Sequence, residues 1–171
     1  LLCPLLLQKF NKRDLSLAGC IIVVVAHALI MVNPMSFQWV LVMTVIRSLG
    51  QAPLTSLVFG MMGDVVEYGQ WKSHLRQESL IFGGGSLGFK IGTGITSAVM
   101  TAMLEGAGFL SSVTGGAMQP TSAQHMISSI FKFGPIFVWA AAIIVLLFYK
   151  LDKIYPTIAK ELAEREARGE M

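Results

Sequence analysis

The sequence predicts an all-α membrane protein, and three observations carry that prediction. The 171 residues are 54% apolar and only 13% charged, with a mean hydropathy of +0.65, outside the usual range of a soluble domain. Four apolar stretches are each long enough to cross a hydrocarbon core, which takes roughly 20 helical residues. The positive charge is also one-sided. Of 13 Lys and Arg residues, Arg47, Lys90 and Lys132 lie within apolar stretches, and all the others fall on one side of the spans those stretches define. A formal net charge of +3 distributed in this way argues against a nucleic-acid surface and makes the lipid bilayer the partner.

Taken in order, residues 1–8 read as the end of a transmembrane helix, so the chain is expected to begin inside a longer protein. A basic turn follows over 9–14, with Lys9, Lys12 and Arg13, and then a span over 15–32 that stops at Asn33-Pro34. Cys3 and Cys20 sit in apolar runs without metal-ligand spacing and read as packing residues. His27 is either a proton carrier or a neutral, hydrogen-bonded helix contact.

The second span, over 37–62, carries Thr44, Arg47, Ser48, Gln51 and Thr55 at helical spacing as a polar stripe. Gly50 and Pro53 predict a kink close to Arg47. Arg47 is then either a solute-facing cation or a clamp on backbone carbonyls. A charged loop is expected over 63–77, holding Asp64, Glu67 and Arg76. Tyr68 and Trp71 in the same stretch also fit simple interfacial anchoring.

The third span, over 78–104, is dense in glycine and has one lysine near its middle. At 100° per residue Ser86, Lys90, Thr93, Ser97 and Thr101 share one face, while Gly84, Gly85, Gly88 and Gly92 fall on the other side. The polar face suits a solute path and the bare face suits close helix packing. For the run Gly83 to Gly85, close packing and local unwinding beside a site both remain open. A polar loop over 105–124 leads to the last span, over 125–149, with Gly134-Pro135 as a second kink. The charged tail, 150–171, places Ile154, Ile158 and Leu162 on one helical face and is expected to lie on the membrane surface. Pro156 suits its first turn, and Glu161 with Arg165 and Glu164 with Arg168 make four-spaced pairs.

The positive-inside rule puts the basic loops and the C-terminus in the cytoplasm, so the expected location is the inner (cytoplasmic) membrane. Arg47 and Lys90 have no carboxylate at comparable depth in this chain, which predicts that a missing N-terminal half supplies one. With no nucleophile beside its base, no metal cluster and no phosphate loop, the residues give no reason to expect an enzyme.

The run from Asp64 through Glu67, Tyr68, Gly69, Gln70, Trp71 and Lys72, then His74, Arg76, Glu78 and Ser79, then Lys90 to Gly92, resembles the signature of the glycoside-pentoside-hexuronide cation symporters. These form the melibiose permease family of the major facilitator superfamily. The resemblance implies the C-terminal half of a twelve-helix bundle, from the end of helix eight through helix twelve. It implies secondary active symport of a sugar or glycoside by alternating access, driven by sodium or protons whose ligands lie mainly in the N-terminal half. No cofactor is expected beyond that coupling cation.

Lys90 matches the family's helix-eleven lysine and Ser86 stands where the melibiose permease has threonine, so both are candidate solute-binding residues, with Gly85, Arg47 and Gln51 beside them. Asp64, Glu67 and Arg76 match charged positions of the family's cytoplasmic gate. Gly85 replaces a sugar-contacting glutamine, and Thr55 stands near a tryptophan position; both departures point away from a melibiose-like disaccharide. A non-sugar transporter of an amphipathic or lipid-like solute, or a non-transporting scaffold, is the alternative.

Overall fold

The computed structural model describes residues 7, 9–111 and 118–169. Most of the helix end expected over 1–8, with Cys3, lies outside the described residues, as does the middle of the loop expected over 105–124. Among the described residues five long helices follow one another: α1 Lys12–Ile30, α2 Phe37–Ser73, α3 Glu78–Gly106, α4 Thr121–Phe148 and α5 Leu151–Ala167. The first four are long and apolar enough to cross a membrane.

The basic turn is shorter than expected, because α1 already begins at Lys12 with Asp14 in its first turn, where a carboxylate meets the positive end of the helix dipole. The helix ends at Ile30, ahead of Asn33-Pro34, and Trp39 Nε1 donates at 2.8 Å to the Leu29 carbonyl, which also accepts from the Val32 amide at 3.1 Å. Ser36 caps α2, its hydroxyl accepting from the Trp39 amide at 3.4 Å.

The largest departure from the sequence reading is α2 itself. It runs for 37 residues, about 55 Å at 1.5 Å per residue, and continues as one helix through Pro53 and past Gly63. The expected charged loop over 63–77 is therefore mostly helix, and only residues 74–77 connect α2 to α3. The cause is local: no proline follows Pro53 within this stretch, and Asp64, Glu67 and Trp71, spaced by three and four, share a face that finds partners on α1 and α5. The helix stops at His74, which adopts the left-handed region at φ 58°.

The core lies where α1, α2 and α4 meet. Cys20, Met61 and Leu146 form it, with Leu17, Leu54, Trp139 and Ile143 against them. Cys20 is a free, buried thiol, as a packing residue should be. Two helices come into backbone contact at Gly19 and Gly50. A Cβ on Gly19 would run into the Gly50 carbonyl, and one on Gly50 would sit 2.8 Å from Ile22 Cγ2 and 2.9 Å from the Gly19 carbonyl. Glycine is needed at both positions because the opposing atoms include backbone, which cannot swing aside.

α3 is different. None of its residues is buried, and among its glycines Gly83, Gly84, Gly88, Gly92 and Gly94 meet nothing within 4 Å. The bare face expected to pack closely is open within the described residues. The tail is helical, yet it lies on the α2 extension as well as presenting a polar surface: Ile158 is 1% exposed, whereas Ile154 is 45% exposed. Pro156 falls in the second turn of α5 and not the first. Glu161 and Arg165 approach to 4.0 Å, and Glu164 pairs at 4.0 Å with Lys160.

Gly19→Ala in the full-length protein should lower stability by roughly 1–3 kcal/mol, the usual cost of overpacking, because α1 and α2 must separate. Thermal unfolding in detergent checks this; an unchanged midpoint would mean that the two helices do not cross here.

Candidate functional site

Two sites emerge, one within the spans and one at the basic end. The first is a cleft of about 380 Å³ between α2 and α3, lined by Val58, Phe59 and Met62 from α2 and by Gly85, Ser86, Phe89 and Lys90 from α3. The one-turn spacing of Ser86 and Lys90 brings a hydroxyl and an ammonium to the same opening, and the two phenylalanines add flat apolar surface. Gly85 borders this cleft rather than the far side of α3, and a Cβ there would meet the end of the Met62 side chain.

Arg47 and Gln51 do not line the cleft. Arg47 is half-buried on α2 with its Nε buried and without a hydrogen-bond partner among the described residues, and Gln51 is exposed. Two threonines of α3 are satisfied within their own helix. Thr93 Oγ1 donates to the carbonyls of Phe89 and Lys90, both at 3.0 Å, and Thr96 Oγ1 to that of Gly92 at 2.8 Å. Neither Arg47 nor Lys90 makes an ion pair among the described residues.

The second site is a charged cluster joining α1, α2 and α5. Lys12 Nζ reaches both carboxylate oxygens of Asp64, at 2.6 and 2.8 Å, and lies 5.1 Å from the centre of the Tyr155 ring. The Asp64 side chain is only 4% exposed and that of Lys12 28%, so the pair is desolvated on its acidic side. The Tyr155 hydroxyl donates to Glu67 Oε2 at 2.8 Å, Trp71 Nε1 donates to Glu161 Oε2 at 2.6 Å, and Arg165 Nη1 donates to the Trp71 carbonyl at 3.0 Å. Burial first, then the bond to Glu67, pushes the Tyr155 hydroxyl up to about 12. Arg13 closes the cluster toward α4: its Nε and Nη2 donate to the carbonyls of Leu146 and Leu147 at 2.9 and 3.1 Å, and its amide to Asp152 at 2.8 Å.

Of the three residues read as a gate, Asp64 and Glu67 are on the helix and already held by Lys12 and Tyr155. Arg76, on the short connection, reaches Glu78 at 3.2 Å and Gln70 at 3.3 Å. Lys12, Trp71, Tyr155 and Glu161 were missed as site residues. Their signal was present: Asp64, Glu67 and Trp71 keep helical spacing beyond Gly63, so one face had to find partners.

Among the described residues, four helices long and apolar enough to cross a membrane, with a mixed polar and aromatic cleft between two of them, define a multi-pass membrane protein. The chain belongs to the MFS/sugar transport protein family, which matches residues 1–153. It is 28% identical to the isoprimeverose transporter of Lactiplantibacillus pentosus over 96% of this chain and 34% of that protein. It is 28% identical to a proposed sulfoquinovose importer of Salmonella typhimurium over 99% of this chain and 35% of that protein. A proposed glycoside/cation symporter of Escherichia coli K12, YagG, is 31% identical over 68% of this chain and 25% of that protein. The chain thus spans about a third of the length of the first two relatives. No solved structure matches it.

Asp64→Asn should destabilise the full-length protein by about 1–3 kcal/mol, since it leaves the Lys12 ammonium half-buried without its counter-charge. Thermal unfolding reads this, and the Lys12→Met, Asp64→Leu double variant should recover part of the loss. The Tyr155 contribution carries its own sign. Because the hydroxyl titrates higher in the fold than its ordinary value of about 10, its stabilisation is intact below pH ~10 and fades as pH rises through about 12. Trp71 fluorescence should therefore stay constant from neutral pH up to ~10 and change above it; a midpoint near neutrality would contradict the Tyr155–Glu67 bond.

Proposed function

We propose that the chain is the C-terminal half of a secondary active transporter that carries a sugar or glycoside into the cell with a coupling cation, by alternating access. One observation carries this reading: Lys90, Ser86 and Gly85 open with Phe59 and Phe89 onto one cleft between α2 and α3. A sugar ring offers apolar faces and a hydroxyl rim, and this lining offers aromatic surface with a donor and an acceptor. Lys90 holds its charge next to carboxylates of the N-terminal half, and those carboxylates also bind the sodium ion or proton. Solute and cation then act on one charge cluster, which couples them. The basic end, with α5, faces the cytoplasm of a bacterial-type inner membrane, as the one-sided Lys and Arg distribution supports.

Asp64, Glu67 and Arg76 serve as the inner gate in this reading. Asp64 must exchange Lys12 for a partner on the other half, or share it, as access alternates. Arg47 and Gln51 lie further along the path on α2.

A second reading of the solute is favoured by charge. Arg47 and Lys90 are two cations at span depth without ion pairs among the described residues, and two relatives are named for sulfoquinovose and for 2,3-dihydroxypropane-1-sulfonate. An anionic sugar derivative would meet that positive field directly.

Lys90→Met keeps volume and removes charge, so the full-length protein should insert in the membrane and yet accumulate solute at least tenfold less under an imposed cation gradient. Uptake into vesicles measures it, with a neutral glycoside and an acidic sugar compared side by side. Undiminished accumulation of both would remove Lys90 from the site; loss of the acidic solute alone would select the second reading.

A further inference from the structure

α4 contains a proline in mid-helix. Pro135 has no N–H, so the Phe131 carbonyl four residues earlier loses its partner in the helical ladder, and the proline ring pushes that carbonyl off the axis. In hydrocarbon no water can take the place of the missing donor. The structure supplies one from the neighbouring helix: His27 Nε2 on α1 lies 2.9 Å from the Phe131 carbonyl oxygen. A carbonyl only accepts, so Nε2 carries the proton. The imidazole is 1% exposed, and its ring stands 5.7 Å from that of Phe131 at 59°. Gly134, immediately before the proline, would meet only Ile130 with an added Cβ, at 3.9 Å, so the backbone at the break is uncrowded.

We propose that His27 is a positioning residue that clasps the proline break of α4 to α1, so that the two helices move as one body and α4 does not bend at Gly134-Pro135. Neither helix alone needs this residue. α1 by itself gains nothing from a buried polar side chain in its last turn, and α4 has a carbonyl that only a neighbour can reach. The inference stands on the hydrogen bond and the proline and does not depend on which solute is carried, or on whether the protein transports at all.

The test is a double-mutant cycle on the purified full-length protein, read by thermal unfolding. His27→Phe removes the donor and keeps the ring, and should lower the midpoint by at least about 3 °C. His27→Gln keeps an N–H within reach and should recover more than half of that loss. Pro135→Ala gives the Phe131 carbonyl a backbone donor of its own, so adding His27→Phe to it should cost little, and the cycle should be non-additive. Equal losses in both backgrounds, or a glutamine variant as poor as the phenylalanine one, would overturn the proposal. Should His27→Phe not fold, a folded His27→Phe, Pro135→Ala protein supports the clasp and an unfolded one refutes it.

Discussion

Every backbone carbonyl inside hydrocarbon must find a donor in the protein, and the arrangement of these helices depends on that constraint. Continuous helices meet it by themselves. Helix ends and prolines do not, and near three such points the structure brings in a side chain from another helix. Trp39 reaches the end of α1, Arg13 spans two carbonyls in the last turn of α4, and His27 reaches the carbonyl released by Pro135. Each bond joins two helices, so satisfying the backbone also fixes how α1, α2 and α4 are placed. Close approach at Gly19 and Gly50 then needs only shape, because neither residue carries a side chain.

At the basic end the same logic acts on charge. A carboxylate as buried as Asp64 is tolerated only with a counter-charge, and Lys12 provides it with both oxygens engaged. The extension of α2 past the expected span end exists because its polar face is covered by α1 and α5, and α5 is held there by Tyr155, Glu161 and Arg165 on Glu67 and Trp71. The tail helix is consequently part of the fold of this end. Its exposed pair, Lys160 with Glu164, adds little, as surface pairs do.

The spans were legible because hydropathy, span length and one-sided positive charge are properties of a sequence read in one dimension. Lys90 and Ser86 were legible as neighbours for the same reason, one helical turn apart. What could not be read were pairings between distant segments. Lys12 looked like one more residue of a basic turn, and nothing near it in sequence points to Asp64. His27 was open between proton carrier and helix contact until Pro135 was seen to leave a carbonyl beside it. The loop expected over 63–77 went wrong for a definite reason: charge density was read as solvent exposure, although Asp64, Glu67 and Trp71 kept helical spacing throughout.

The packing is uneven among the described residues. α1, α2 and α4 share the buried core, whereas α3 has no buried residue and leaves most of its glycine face uncovered. The cleft with Lys90 and Ser86 lies between the well-packed body and this loosely held helix. Its floor is Met62, an unbranched side chain whose end lies against Gly85 and can swing at small cost. Lys90 and Ser86 sit on this open helix and Phe59 on the packed one, so the two walls of the cleft differ in how much of their surface the chain itself covers.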